Sequence, residues 1–446
     1  MKLAALLERS VSGQWCPGNS IGCGRGVSRG LALTRLNRQR RTIHWGIRMN
    51  TALRIGTLVL AVTLATSVHA SSLTPAFEAA CERTPELEGL VARREEYGAR
   101  RVAADALLPG GPWTTVTHRT DALTHDRGTR EYTAELTEPV WLRGERGAAL
   151  AAALTASERL EAEIAFRRLD VARRVRDAFW LVSEARQKVA IAVRRRSTAV
   201  TLAQSIQRQA LAAQADLLET KIAKADVGDA EAALAGRQAE LNQALIAFRV
   251  LTGREPPPAF NETDLGLTPS DSHPRVVLRR KATEKAQADK ELVFAADRER
   301  PELGVFATNS RDTSAEPNVT SLGVRLKVPF AYDAINQPKR AAASAEVIAA
   351  RAELNQAERE VSGDAAQARA RFQGARQQLA ALEGRFTDLA EVVQLSQRSQ
   401  QAGQLPLTEL IRARLQLYEA DLARATARVA VDRARSDLNQ ALGREP

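Results

Sequence analysis

Two stretches of this chain, Pro139 to Gly253 and Pro329 to Gly443, share one length and one plan: a short strand pattern runs out into a very long helical one. They superpose at a constant shift of 190 residues, and each closes on Gly-Arg-Glu-Pro, at Gly253 to Pro256 and at Gly443 to Pro446. Self-similarity at so long a period fixes architecture before any local motif is read. The chain is a duplicated protein, and each ambiguous segment can be read against its counterpart.

A net charge of +11 suggests a nucleic-acid or anionic-membrane partner. Its distribution argues otherwise. Lys2, Arg9, Arg25, Arg29, Arg35, Arg38, Arg40, Arg41 and Arg48 stand against Glu8 alone, and Arg54 follows; together they account for all but +2 of the charge. The remainder, 71–446, is nearly neutral, so no nucleic-acid partner is expected. Residues 49–70 have the layout of a secretory signal: Met49, Arg54, an apolar run from Ile55 to Val68, and the small-residue end Val68-His69-Ala70. Cleavage is predicted after Ala70. The run falls short of the roughly 20 residues a permanent membrane helix needs. Residues 1–48 lack helical or strand period and are read as a non-native upstream extension, with translation starting at Met49. Cys16 and Cys23 lie in that extension, leaving Cys81 as a small apolar residue in a helix from Leu73 to Leu90.

Each half reads helix, strand, strand, long helix, shorter helix. The first opens at Thr74-Pro75, a cap with a first-turn proline, and runs to about Leu108, where Pro109-Gly110-Gly111-Pro112 stops it. Two strands follow, joined by the polar loop Arg119 to Thr129. Apolar and polar residues alternate strictly from Glu131 to Leu136, and again where Leu322, Val324, Leu326 and Val328 oppose Ser321, Gly323, Arg325 and Lys327. Period two marks a sheet with one dry face and one wet face. Four strands are too few to close a barrel or build a sandwich core, so other chains must complete them. Trp113, Tyr132, Trp141, Phe306, Phe330 and Tyr332 lie in or beside these strands, as in the aromatic girdles of a membrane barrel.

Long helices take up the rest. No proline interrupts the chain between Pro139 and Pro256, and Ile164, Val171, Val175, Phe179, Val182, Val189 and Val193 form a coiled-coil-like seam. In the second copy, Gln401 to Pro406 separates two helical patterns; shifting back by the repeat places the first turn at Leu211 to Asp216. Each copy is therefore a helical hairpin, its rising arm of about 65 residues reaching on the order of 100 Å. The returning arms, about Leu217 to Leu251 and Leu407 to Leu442, end at the left-handed caps Gly253 and Gly443. The chain thus divides into the extension, 1–48; the signal peptide, 49–70; a first repeat, 71–256, with β-hairpin 113–139 and helical hairpin 143–252; a linker, 257–273; and a second repeat, 274–446, with β-hairpin 302–330 and helical hairpin 337–443.

Catalysis has little to work with, and no enzyme activity or cofactor is expected. There is no nucleophile elbow, phosphate loop or His-Glu-x-x-His. His118, Asp121, His125 and Asp126 share a loop but match no common ligand spacing, so no metal site is assigned.

The chain resembles the TolC-like outer-membrane efflux proteins across essentially all of 71–446. Glu82-Arg83-Thr84-Pro85-Glu86-Leu87, the strand exits Leu136-Thr137-Glu138-Pro139 and Val328-Pro329-Phe330, and the return motif from Ala402 to Leu410 carry the likeness. Their order, spacing and duplication make it specific. Trp141 to Gly147 and Ile335-Asn336-Gln337 look most like the branch serving cation-efflux (CzcC-like) systems; drug-efflux members share the scaffold. The resemblance implies a homotrimer in the outer membrane. Each protomer would give four strands to one twelve-stranded barrel and its helical hairpins to an α-helical tunnel across the periplasm. It implies a passive exit duct docked by its hairpin tips on a periplasmic adaptor and energised by an inner-membrane pump of the resistance-nodulation-division type. The tips would be Leu211, Ala212, Ala213 and Gln214 in the first hairpin and Gly403, Gln404, Leu405 and Pro406 in the second. An acidic residue after the second tip helps form the periplasmic constriction in such proteins, and Glu409 matches it. A second acidic position three residues on is Arg412 here, which departs from a purely acidic ring. Two rivals are weighed, a periplasmic adaptor and a coiled-coil structural protein. Adaptors ordinarily carry one hairpin with compact β domains, and alternating strands argue against a coiled coil.

Overall fold

The computed structural model describes residues 72–212, 216–263 and 271–446. The expected upstream extension and signal peptide lie outside the described residues, as do part of the expected linker and two candidate tip residues, Ala213 and Gln214. In chain order the elements are α1 (Thr74–Glu82), α2 (Pro85–Ala104), β1 (Trp113–Thr120), β2 (Arg130–Pro139), α3 (Glu145–Leu211), α4 (Leu217–Thr252), α5 (Pro274–Ala295), β3 (Glu302–Arg311), β4 (Val319–Lys327), α6 (Asp333–Gln401) and α7 (Leu407–Ala441). The repeat is visible in these bounds: the long helices end at Leu211 and Gln401, and the return helices begin at Leu217 and Leu407.

The opening segment departs from the single helix expected from Thr74 to Leu108. It is two helices, because Pro85 has no amide to donate and drives Thr84 into an extended conformation at φ −89°, ψ 110°. The second of them stops at Ala104. The capping role expected of Thr74 passes to Ser72, whose hydroxyl accepts from the Thr74 amide at 3.1 Å. Cys81 is buried in α1, and burial pushes its thiol up to about 11.

Helices α1, α2, α3 and α4 close around Phe77, Leu87, Val175, Phe179, Val182 and Phe248. Ile164 and Val171 join that seam, but Val193 is 48 % exposed. At its level α3 has left α1 and α2 and lies against α7, so the buried stripe passes to Ile191, Ala192 and Ala199.

The start of the linker is packed down. Arg186 donates to the carbonyls of Pro257 at 2.6 Å and Pro256 at 3.2 Å, and Phe260 meets Phe179 edge-on at 5.4 Å. Arg176, only 2 % exposed, donates through Nε to Glu262 at 2.8 Å and through Nη1 to the Arg444 carbonyl at 2.9 Å. Asn439 also donates to Glu262, at 2.7 Å. A buried charge held this way is satisfied on all sides, which is the condition for tolerating it. It joins α3, the linker and the end of the chain.

Counterpart helices differ in their surroundings. Helix α5 lies between α3 and α6, whereas α2, its counterpart, packs on α3 and α1 and meets neither α6 nor α7. Val91 and Val102 of α2 are left exposed.

Gly443 stands in the left-handed region at φ +78°, where a Cβ would lie 2.8 Å from His273 Cδ2 and from Pro274 Cδ. His273 caps α5, its Nδ1 accepting from the Arg275 amide at 3.1 Å. Burial, reinforced by the Arg275 charge, lowers its pKa to about 4. The unfolded chain takes up this proton near pH 6.5 and the folded chain only near 4. The denatured state therefore binds more protons in that window, so stability falls as pH drops through it. In denaturant titrations His273→Asn, which keeps a capping acceptor, should show a shallower loss between pH 6.5 and 4 than the parent; identical pH profiles would remove His273 as the cause.

Candidate functional site: the sheet faces and the hairpin tips

The four strands form one antiparallel sheet in the order β1-β2-β3-β4. Register fixes what each face carries. Glu135 lies opposite Thr115 and Phe306, and Phe306 opposite Gly323; one residue along, Leu136 lies opposite Val305, which lies opposite Val324. One face is therefore apolar, with Val116, Leu136, Leu303, Val305, Leu322 and Leu326, and it is open: Leu322 is 84 % exposed. At its far end His118 stacks on Tyr132, ring centres 4.3 Å apart. His118 is thus a strand residue and not part of the loop, which spans 121–129 and is organised by Asp121 accepting from the Arg127 amide at 2.8 Å.

The opposite face is polar and its charges are matched. Arg325 meets Glu135 at 2.5 Å, Lys327 meets Glu302 at 3.0 Å, and Arg119 lies 3.9 Å from Glu131. Gly304 leaves room for this arrangement, since a Cβ there would lie 2.7 Å from Glu135 Oε1. Phe306, expected among girdle aromatics, instead lies on this polar face. Its ring covers Gly323 and lies under the Arg325 guanidinium at 5.5 Å. These paired charges were not singled out from the sequence. Glu135 and Arg325 stand 190 residues apart, at equivalent positions of the two copies, and that coincidence was the available signal.

The sheet's outer strands, β1 and β4, have no further partner among the described residues. A strand edge in that condition presents a row of unpaired donors and acceptors.

At the other end of the hairpins, α3 stops at Leu211, which is exposed, and the Ala212 amide turns back onto the Arg208 carbonyl at 3.2 Å. Asp216 then caps α4, accepting from the Leu217 amide at 2.6 Å. In the second tip Gly403 takes φ +72°, and the Gln404 amide donates to Ser399 at 2.9 Å, closing α6 with a Schellman-type turn. Pro406 starts α7. Between the two tips lies a polar cleft of about 510 Å³ lined by Gln209, Glu219, Gln400, Gln404, Leu405 and Pro406. Gln209, Glu219 and Gln400 precede or follow the turns themselves, and sequence reading passed them over.

Glu409 lies in the first turn of α7, where the helix dipole favours an acid. Both its oxygens accept from Arg412 Nη1, at 2.8 and 3.0 Å. The pair is well exposed and adds little stability, yet it gives the carboxylate a counter-ion of its own. On the opposite side of the same turns, Leu407 and Leu410 are buried against Leu202, Ile206 and Ala223 of the first hairpin. Truncating Leu410 to Ala removes the centre of that contact. It should cost about 3 kcal/mol and speed proteolytic nicking at the tips; unchanged melting and cleavage would show that this contact does not hold the hairpins together.

Geometry of this kind defines a class. The chain superposes on the outer membrane protein VceC of Vibrio cholerae with a TM-score of 0.67 at 16 % identity, covering 83 % of this chain and 96 % of that one. On CusC, whose structures describe transmembrane channel formation, the TM-score is 0.65 at 18 % identity, covering 83 % and 92 %. The fold is that of the TolC-like outer-membrane channels. Residues 275–444, within the second repeat, match the model of the family described as outer membrane efflux protein. The chain is also 28 % identical over 233 residues to the cobalt-zinc-cadmium resistance protein CzcC of Cupriavidus metallidurans; that alignment takes in 48 % of this chain and 56 % of CzcC. It thus spans little more than half of that relative's length.

Proposed function

We propose that this protein is the outer-membrane channel of a tripartite efflux system, a passive exit duct for heavy-metal cations assembled as a homotrimer. The observation that carries this reading is the open sheet, with two unpaired edges and one exposed apolar face. Inside a bilayer every backbone donor and acceptor must be paired, which only helices and closed barrels achieve. Three protomers of four strands each supply a closed twelve-stranded barrel, apolar face to lipid and charge-matched face to the lumen.

The repeat supplies the geometry of closure. Within the chain the two copies meet where β2 pairs with β3; between chains the same junction joins β4 to β1 of the partner subunit. Leu136 pairs with Val305. The counterpart of Leu136 is Leu326. The counterpart of Val305 is Val116, because the strands facing Glu135 and Arg325 place Thr115 and Gly304, 189 residues apart, in equivalent registers. Leu326 therefore lies opposite Val116 of the partner subunit, about 5 Å away between Cα atoms, within disulfide reach. Likewise α6 of a neighbour fills the vacant side of α2, as α3 and α6 flank α5 within the chain. A Leu326→Cys, Val116→Cys double variant should yield oxidised trimers on denaturing gels, while each single variant stays monomeric. Absence of cross-linked species from a folded, membrane-inserted double variant would defeat this closure.

The division into extension, signal peptide, two repeats and linker belongs to the same reading, which places the helical hairpins in the periplasm. Their tips, Leu211 to Gln214 and Gly403 to Pro406, dock a periplasmic adaptor, with Gln209, Glu219 and Gln400 of the cleft beside them. The adaptor links the duct to an inner-membrane resistance-nodulation-division pump. The likeness to CzcC supports metal cations as cargo, and a strain lacking this protein should lose tolerance to zinc, cobalt and cadmium salts. Normal metal tolerance with new sensitivity to antibiotics would instead assign it to drug efflux.

Glu409 and Arg412 form the periplasmic gate. Because each Glu409 carries its own Arg412, the gate narrows the duct without making an acidic ring, and selection of cargo falls to the pump. Glu409→Ala should raise single-channel conductance in planar bilayers. An unchanged conductance in a folded trimer would locate the constriction elsewhere.

A further inference from the structure

A second feature of the hairpins lies between the tips and the helical core. Helices α3, α4, α6 and α7 line a half-open cavity of about 300 Å³, at the lower end of the volumes that hold small ligands. Its charges do not balance. Arg194, Arg195 and Arg414 line it with only Asp226 and Asp421 as acids. Asp421 is already taken by Arg194 at 2.8 Å and by Arg424 at 2.6 Å. Asp226 stands 3.7 Å from Arg195, beyond hydrogen-bond distance, and its field also reaches Arg414.

Arg414 is the anomaly. Its Nε and Nη1 are buried and have no hydrogen-bond partner among the described residues, where its Nη2 makes a long bond to Gln397 at 3.4 Å. Burial holds the guanidinium below its ordinary pKa. Arg414 as a whole is half-buried, and donors left unmatched at that depth are costly until a partner completes them. Arg195, held with its guanidinium 4.8 Å over the Tyr418 ring, faces the same space. The remaining walls are hydrocarbon, among them Ile191, Phe386, Val393, Ile411 and Leu415.

We propose that this cavity is a binding site for a small organic carboxylate: Arg414 and Arg195 take the carboxylate, and the Phe386, Ile411 and Leu415 side take the apolar body. An inorganic anion would leave those walls unused, and a neutral molecule would leave the arginines unmatched. The site does not depend on what the duct carries. Occupancy would brace the first hairpin against the second, because its walls come from both.

Calorimetric titration of the full-length, detergent-extracted protein tests this, with benzoate as probe, benzamide as its neutral isostere and inorganic phosphate as the compact anion. Saturable benzoate binding at one site per protomer is expected, with a rise in melting temperature. Benzamide and phosphate should bind at least about tenfold more weakly, a difference of about 1.4 kcal/mol, and Arg414→Gln should weaken benzoate by a similar factor. If Arg414→Gln fails to assemble, Arg195→Gln decides in its place. No saturable benzoate binding, equal binding of benzamide or phosphate, or equal affinity in the arginine variant would each overturn the proposal.

Discussion

Backbone pairing is the constraint on which the rest depends. Each strand residue brings one donor and one acceptor, and in hydrocarbon an unpaired group has no water to fall back on. Among the described residues β2 and β3 are satisfied on both sides, β1 and β4 on one. A sheet that is apolar on one face, charge-matched on the other and open at both edges is a segment of something larger. The proposed trimer follows from that incompleteness together with the duplication, which provides inside one chain a worked example of every junction needed between chains.

The helical part repeats the logic. Helix α5 is covered by a long helix on each side and α2 by one. The buried contacts fall into separate groups. One binds the opening helices and the linker to α3, through Phe179, Phe260 and the Arg176–Glu262 pair. Another holds the second tip to the first hairpin through Leu410. Between them lies the cavity at Arg414, where packing is replaced by underpaired charge. The hairpins are thus firmly joined near the tip and near the core, with an electrostatically unfinished zone between.

Much of the fold was legible in the sequence because the duplication doubled each weak signal. The turn between α3 and α4 has no glycine or proline to mark it; the glycine and proline of Gly403 and Pro406 marked it by proxy. Period-two alternation identified the two sheet faces correctly, since register in a half-exposed sheet follows the apolar pattern. What escaped was decided by neighbours or by single backbone positions. Pro85 split a helix whose composition reads as continuous, and the stripe left Val193 where α3 changed partners. Phe306 took the polar face because Gly323 offers its ring a bed. Glu409 and Arg412 were reached through the family resemblance, whereas the cavity at Arg414 joins four helices that no local pattern brings together.

In the proposed trimer one polypeptide supplies a third of a closed pore. Native mass spectrometry of the protein extracted in detergent from outer membranes tests it most directly. A single species of three protomers is expected. A folded, monodisperse monomer would contradict it.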